Sequence, residues 1–198
     1  MSDDTLDKPL RADARRNRER LLDAALALFL EEGPGVPLET VAKRAGVGIG
    51  TLYRHFPTRE ALVEAAYRTE VAHLCEAADE LGRALPPDEA LAAFMDRFVD
   101  YAATKKGLKT MLMAVSESGS DVFAETRTQI TGAVASLVDA AIAAGTIRSD
   151  VDTEDVLRAM GAVWSVPAGS EDQARRVLML VMDGLRHGAA GSNVNPAG

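Results

Sequence analysis

A single cysteine, Cys75, leaves the chain with no intrachain disulfide framework, which fits a reducing, cytoplasmic setting. Its neighbours supply no cation one helical turn away, so it reads as a buried, inert thiol rather than a redox sensor. Aromatics make up 5% of the 198 residues. β-branched runs of the kind that build strands are few, and the Ala- and Leu-rich remainder favours helices. No apolar run approaches the roughly 20 residues needed to cross a bilayer. The opening MSDDTLDKPL is acidic and lacks an apolar stretch, which excludes a secretory signal and suggests a disordered leader over 1–10. Histidine is scarce: His55, His73 and His187 are all there is. Glu70 and His73 have the i, i+3 spacing of a helical metal-ligand pair, but a di-metal bundle needs a second such pair and further carboxylates. No phosphate-binding P-loop, G-x-G-x-x-G or G-x-S-x-G occurs. No metal, no cofactor and no enzymatic centre are therefore expected. A helical-bundle metalloenzyme built on Glu70 and His73 is kept only as a rival.

What is present is charge, unevenly placed. The formal net charge is −8, which on its face argues against a nucleic-acid partner. Residues 1–60 carry ten Lys/Arg and ten Asp/Glu, a balance of zero, so the whole deficit resides in 61–198, with twelve and twenty. From Lys8 to Arg59 ten basic residues face six acidic ones. Local charge rather than overall pI meets phosphate. Five arginines, at 11, 15, 16, 18 and 20, crowd what the pattern marks as the start of the first helix. Positive charge there opposes the helix dipole, and a phosphate backbone nearby would compensate it. A solvated helix end is the plain alternative.

The chain is organised around residues 38–56, LETVAKRAGVGIGTLYRHF. Leu38, Val41, Ala42 and Ala45 fall at i, i+3, i+4 and i+7, one apolar stripe of a short helix. Gly46 can close it, because only a residue tolerant of positive φ does so cheaply. Gly48 is an acceptable N-cap for a second short helix, in which Leu52 and Phe56 point inward one turn apart. Two short helices joined by a tight glycine-containing turn form a helix-turn-helix. The remaining face of Ile49, Gly50, Thr51, Tyr53, Arg54 and His55 suits phosphates and base edges. A helical hairpin with a merely solvated face, or one used to bind protein, shares this periodicity.

The wording of the stretch goes further than its periodicity. VAKRAGVGIGTLYRHFPTREAL resembles the DNA-binding signature of the tetracycline-repressor-like (TetR) family over roughly 45 residues without a gap. The likeness lies in the Ala-Gly-Val turn, Thr51-Leu52-Tyr53, His55-Phe56 and the opening Arg59-Glu60-Ala61-Leu62. The resemblance implies phosphate contacts from Thr51, Tyr53, His55 and Arg59. Ile49, Gly50, Arg54 and Glu39 are then placed nearest base edges, with Gly48 and Lys43 beside them and Arg15 and Arg16 reaching from the first helix. Pro37 and Gly48 depart from the family, which commonly has Ser or Thr at the first position and often Ser at the second, so contacts from those side chains are missing.

The rest of the chain predicts an all-α fold of about nine helices. The helices are expected from Arg11 to Glu32, then the two short ones, then from Thr58 (an N-cap) to Ala84. Further helices follow over 87–104, 107–116 and 122–144, from the N-cap Asp152 to Val166, and over 171–187. The expected organisation is a helix-turn-helix head over 11–57, a ligand-binding and dimerisation body over 58–187, and a disordered tail over 188–198. Phe94, Met95, Phe98, Tyr101, Met111 and Met113 are the broad and flexible side chains that line apolar pockets, although at helical spacing such residues also make plain core. The TetR resemblance places a small-molecule effector among these helices. Val156, Met160, Val163 and Trp164, with Leu178, Val181, Met182 and Leu185, spread apolar surface too widely for one buried stripe, which points to a homodimer seam. The expected function is a cytoplasmic, homodimeric, ligand-responsive repressor on a palindromic double-stranded DNA operator.

Overall fold

The computed structural model describes residues 4–188, with side chains from Ala12 onward. Among the described residues there are nine α-helices, one 3-10 segment and no strand. The helices are α1 (Asp4–Glu32), α2 (Leu38–Arg44), α3 (Ile49–His55), α4 (Arg59–Ala84), α5 (Pro87–Gly107), α6 (Lys109–Glu117), α7 (Val122–Ala143), α8 (Thr153–Met160) and α9 (Glu171–Arg186), with the 3-10 segment Gly161–Ser165 after α8. The tail beyond Gly188 and the first three residues of the expected leader lie outside the described residues.

Two boundaries differ from expectation for physical reasons. The backbone of α1 is already helical at Asp4, seven residues before Arg11. Among the side chains described from Ala12 onward, its buried stripe begins at Leu21, which is where apolar periodicity marks the helix most clearly. The helix expected to run to Val166 instead ends at Met160 and tightens into the 3-10 segment, a common way for a helix end to close before an extended residue. Two N-caps form as predicted. Thr58 Oγ1 accepts from the Ala61 amide at 3.1 Å, and the Asp152 carboxylate accepts from the Glu154 amide at 2.7 Å.

The chain divides into two compact units. The first gathers residues up to Thr69 with Gly107–Val122, so it holds α1 to α3, the front of α4 and all of α6. Within it α1 packs on both α2 and α3. Leu21, Leu28 and Phe29 of α1, Leu38 and Val41 of α2, Leu52 of α3 and Leu62 of α4 are all buried. Each such side chain contributes about 1.5–3 kcal/mol on full burial. Polar ties fix the corners of this unit. Arg44 forks onto the Glu31 carboxylate at 2.7 and 3.0 Å, joining the ends of α1 and α2. Ser120 donates to Glu64 at 3.0 Å, holding the segment after α6 to α4.

The second unit comprises Glu70–Lys106 and the chain from Phe123 onward. Its core is built from Leu91, Phe94 and Phe98 of α5, Val134 and Val138 of α7, Met160 of α8, and Leu178 and Met182 of α9. Strong polar straps bind α9 to α5. Arg175 donates to Asp96 at 2.7 Å and Asp100 at 2.5 Å, and Arg186 donates to Asp88 at 2.8 Å. These carboxylate hydrogen bonds, that to Asp96 foremost, hold the Arg175 guanidinium above its ordinary pKa. On α9 the residues Ala174, Leu178, Met182 and Leu185 face inward, and the straps lie at the edge of this buried stripe. Lys106 Nζ donates to the carbonyls of Val163 and Val166 at 2.7 and 2.6 Å, pinning the 3-10 segment to the end of α5.

Candidate nucleic-acid interface

The turn between α2 and α3 determines how the interface is presented. Gly46 sits at φ +68°. Its amide donates to Lys43 O at 3.1 Å, and the Val47 amide donates to Ala42 O at 3.0 Å. This pair of bonds is the Schellman closure, in which a residue with positive φ satisfies the last carbonyls of a helix. The chain then reverses at Gly48, which is extended at φ −71°, ψ 147°, and α3 begins at Ile49. Neither Pro37 nor Gly48 supplies a side-chain cap. The first amides of both short helices are therefore left for other acceptors.

Leu52 is wholly buried and Phe56 nearly so, and together they fasten α3 by one face. The opposite face is open. Ile49 is 36% exposed and Tyr53 45%, with Gly48, Gly50 and Arg54 exposed beside them and Thr51 and His55 half-buried. Glu39 and Lys43 of α2 are exposed as well. Ile49 and Tyr53 stand one turn apart, so their exposed surface is continuous with the polar groups beside them.

Arg15, Arg16, Arg18 and Arg20 of α1 are exposed and held by neighbours. Arg15 pairs with Glu19 at 3.6 Å and Arg16 with Asp13. The guanidinium of Arg18 lies 5.4 Å from the Phe56 ring centroid, which couples α1 to the end of α3. The side chain of Arg11 lies outside the described residues. Arg59 is placed differently from the rest. It donates to Pro34 O at 3.2 Å and Val36 O at 2.5 Å and lies 5.6 Å above the Phe29 ring. Its fork thus holds the loop that leads into α2.

Comparison with known proteins agrees with this geometry. Residues 21–66 match the model of bacterial regulatory proteins of the tetR family, and residues 86–187 match the C-terminal domain of SbtR-like transcriptional regulators. The chain belongs to the TetR family of transcriptional regulators. The TetR transcriptional regulator SCO0520 of Streptomyces coelicolor is 50% identical with a TM-score of 0.78, over 85% of this chain and 98% of that one. A TetR regulatory protein from Mycobacterium vanbaalenii is 38% identical with a TM-score of 0.74, over 90% and 99%. An HTH-type transcriptional regulator of Staphylococcus aureus strain USA300 is 44% identical over 54 residues, a match that spans 27% of this chain and 29% of that relative. TetR-family regulators bind operator DNA and dimerise.

The residues expected to line an effector pocket of this TetR regulator separate in the structure. Phe94, Met95, Phe98 and Tyr101 are buried along α5 in the second unit. Met111 is buried on α6 in the first unit, while Met113 is 55% exposed. Met95 lines a cleft of about 200 Å³ between α5 and α9, together with Asp96, Arg175, Met179 and Met182. A shallower cleft of about 450 Å³ lies between α4 and α7, lined by Cys75, Glu76, Asp79, Gln129 and Ser136. Burial, then the carboxylates of Asp79 and Glu76, push the Cys75 thiol above its ordinary pKa, which disfavours the reactive thiolate.

The residues expected at the dimer seam separate likewise. Val156, Met160, Val163, Leu178, Met182 and Leu185 are buried by the chain itself, and Val181 is half-buried. What α9 leaves in water is Met179, 63% exposed, and Leu180, 72% exposed. Leu180 lies on a second i, i+3, i+7 stripe with Val177 and Gly184, apart from the residues expected at the seam. Trp164 is 39% exposed and packs edge-on to Phe98 and Tyr101, with centroids at 6.1 and 6.4 Å. Glu70 and His73 approach to 3.9 Å, and among the described residues no three His, Cys, Asp or Glu gather as a metal site would. No described helix is long and apolar enough to cross a membrane.

Proposed function

We propose that this TetR regulator is a homodimeric, cytoplasmic, ligand-responsive repressor that binds a palindromic operator and is released by a small, largely apolar effector. The observation that carries the reading is the open face of α3, where Ile49 and Tyr53 stand in water while Leu52 is fully buried. Thr51, Tyr53 and His55 are assigned to phosphates. Ile49, Gly50 and Arg54 are assigned to base edges, with Gly48, Glu39 and Lys43 flanking them and Arg15 and Arg16 on the adjoining backbone or minor groove. Arg59 stands at the same edge and, through its hold on Pro34 and Val36, positions α2. The acidic remainder of the chain repels DNA and favours approach by the head over 11–57, leaving 58–187 to sense the effector and dimerise.

Two copies of α3 read two half-sites about one helical turn apart when the dimer is two-fold symmetric. The effector acts by binding more tightly to an arrangement in which that spacing is lost, and release can be no larger than this difference in affinity. The test is fluorescence anisotropy with duplexes tiled across the DNA flanking its own gene, over a range of salt. One palindromic segment should bind far above the others, and each phosphate contact should add about 0.9 to the slope of log K against log salt. Removing residues 1–16 should lower that slope. Equal, weak binding to every duplex would instead favour a helix-turn-helix used for protein contact.

A further inference from the structure

Within the second unit one side chain is surrounded in an unusual way. The Lys105 ammonium lies 5.2 Å from the Phe123 ring centroid, 5.4 Å from that of Trp164 and 6.0 Å from that of Tyr101. Three rings from three elements, α5, α7 and the 3-10 segment, converge on one cation. Phe98 backs the group, tilted against Tyr101 at 5.6 Å and edge-on to Trp164. Ring faces carry negative charge, and an ammonium within about 6 Å of a centroid is attracted to them. A cage of this kind holds alkylated ammonium ions better than a primary amine, because the methylated ion loses less hydration on entering it.

We infer that the Tyr101–Phe123–Trp164 cage is a binding site for a small alkylated ammonium ion, with Lys105 as a built-in cation that the ligand displaces. This rests on the ligand-responsive reading above and departs from it on one point, the effector being a cation with an alkyl surface rather than an uncharged apolar molecule. Lys105 suits the part of a displaceable occupant. Its ammonium is strongly hydrated and sits on a long flexible stem that regains rotamer freedom on release. The aromatic group meets solvent at Trp164, a residue that is 39% exposed. The neighbouring Lys106 holds the carbonyls of Val163 and Val166 on either side of that ring. Occupancy is therefore felt by the segment that joins α8 to α9.

Trp164 is the single tryptophan of the chain, so its fluorescence reports on the cage directly. The experiment titrates choline against the full-length wild type and K105Q, with 3,3-dimethyl-1-butanol as the uncharged analogue of the same shape and sodium chloride as the ionic-strength control. Choline should give a saturable change in both proteins, with the dissociation constant in K105Q lower by roughly tenfold, since one competing cation–π occupant has been removed. The uncharged alcohol should give none at equal concentration. A linear choline response matching sodium chloride would overturn the proposal, as would an equal response to the alcohol. If K105Q fails to fold, the wild-type titration and a rise in wild-type Tm with choline beyond that with sodium chloride decide alone. Operator release is measured in the same cuvette with labelled DNA. Choline binding without release leaves the cage as a binding site but refutes its assignment as the effector site, whereas absence of binding refutes the cage itself; the ligand-responsive reading then stands or falls with another effector.

Discussion

Leu178 and Leu180 stand two residues apart on α9 and should respond to mutation in opposite ways. Leu178 is 3% exposed and faces the core with Met182, whereas Leu180 is 72% exposed. Truncating Leu178 to Ala removes buried methyl groups from a packed interior and should cost about 2–5 kcal/mol of folding stability. Leu180 has little left to lose within one chain, so its value lies in what covers it. Burying a leucine fully is worth about 1.5–3 kcal/mol, and most of that is still available at 72% exposure. Counted once in each copy about a two-fold axis, it amounts to about 2–4 kcal/mol per dimer. A factor of ten in an equilibrium constant is about 1.4 kcal/mol, so L180E should weaken dimerisation at least 30-fold, roughly. Light scattering during chromatography at low micromolar concentration reads the dimer, circular dichroism reads the helices, and labelled operator reads function. L180E should be monomeric, fully helical and silent on DNA, while L178A should melt early. A dimeric L180E, or one that loses its helices, would show that another surface pairs the subunits.

Y53A should weaken binding to all duplexes alike and lower the salt slope, while R54A should change the ranking of operators in a randomised library; identical rescaling by both would refute that division. R59A should lower the Tm of the protein and leave the salt slope unchanged, because its guanidinium holds Pro34 and Val36; a slope reduced by about 0.9 would mean that it meets phosphate instead. The Arg44 hydrogen bond holds the Glu31 carboxyl below its ordinary range. A carboxyl depressed in the folded state contributes stability above its unfolded pKa, about 4.3, and loses it as pH falls through the folded value. The Tm difference between wild type and E31Q should accordingly be full at pH 6 and shrink as the pH falls below the unfolded pKa and through the folded one, and a difference constant with pH would refute the pairing.

Local signals sufficed for the head. Gly46 in the left-handed region, Leu52 and Phe56 one turn apart, and the caps Thr58 and Asp152 are each set by a few consecutive residues, so their geometry was legible in the order of letters alone. The all-α character and most helix bounds follow from periodicity in the same way. Other features depend on partners distant in the chain. The arc of apolar residues on α9 is wide enough to face inward in more than one way, and packing against the rest of the second unit, with Arg175 tied to Asp96 and Asp100 at its edge, leaves Leu178, Met182 and Leu185 inside and Leu180 outside. That Gly107–Val122, with Met111 and Met113, groups with the first unit is likewise a long-range fact. Arg59 carries the same letter whether it meets a phosphate or a carbonyl, and the fold turns it onto Pro34 and Val36. Lys105 and Phe123 carry no motif at all; packing of α5, α7 and the 3-10 segment is what brings Tyr101, Phe123 and Trp164 around one ammonium. Periodicity reports which face of a helix is apolar, and only tertiary packing decides what that face meets.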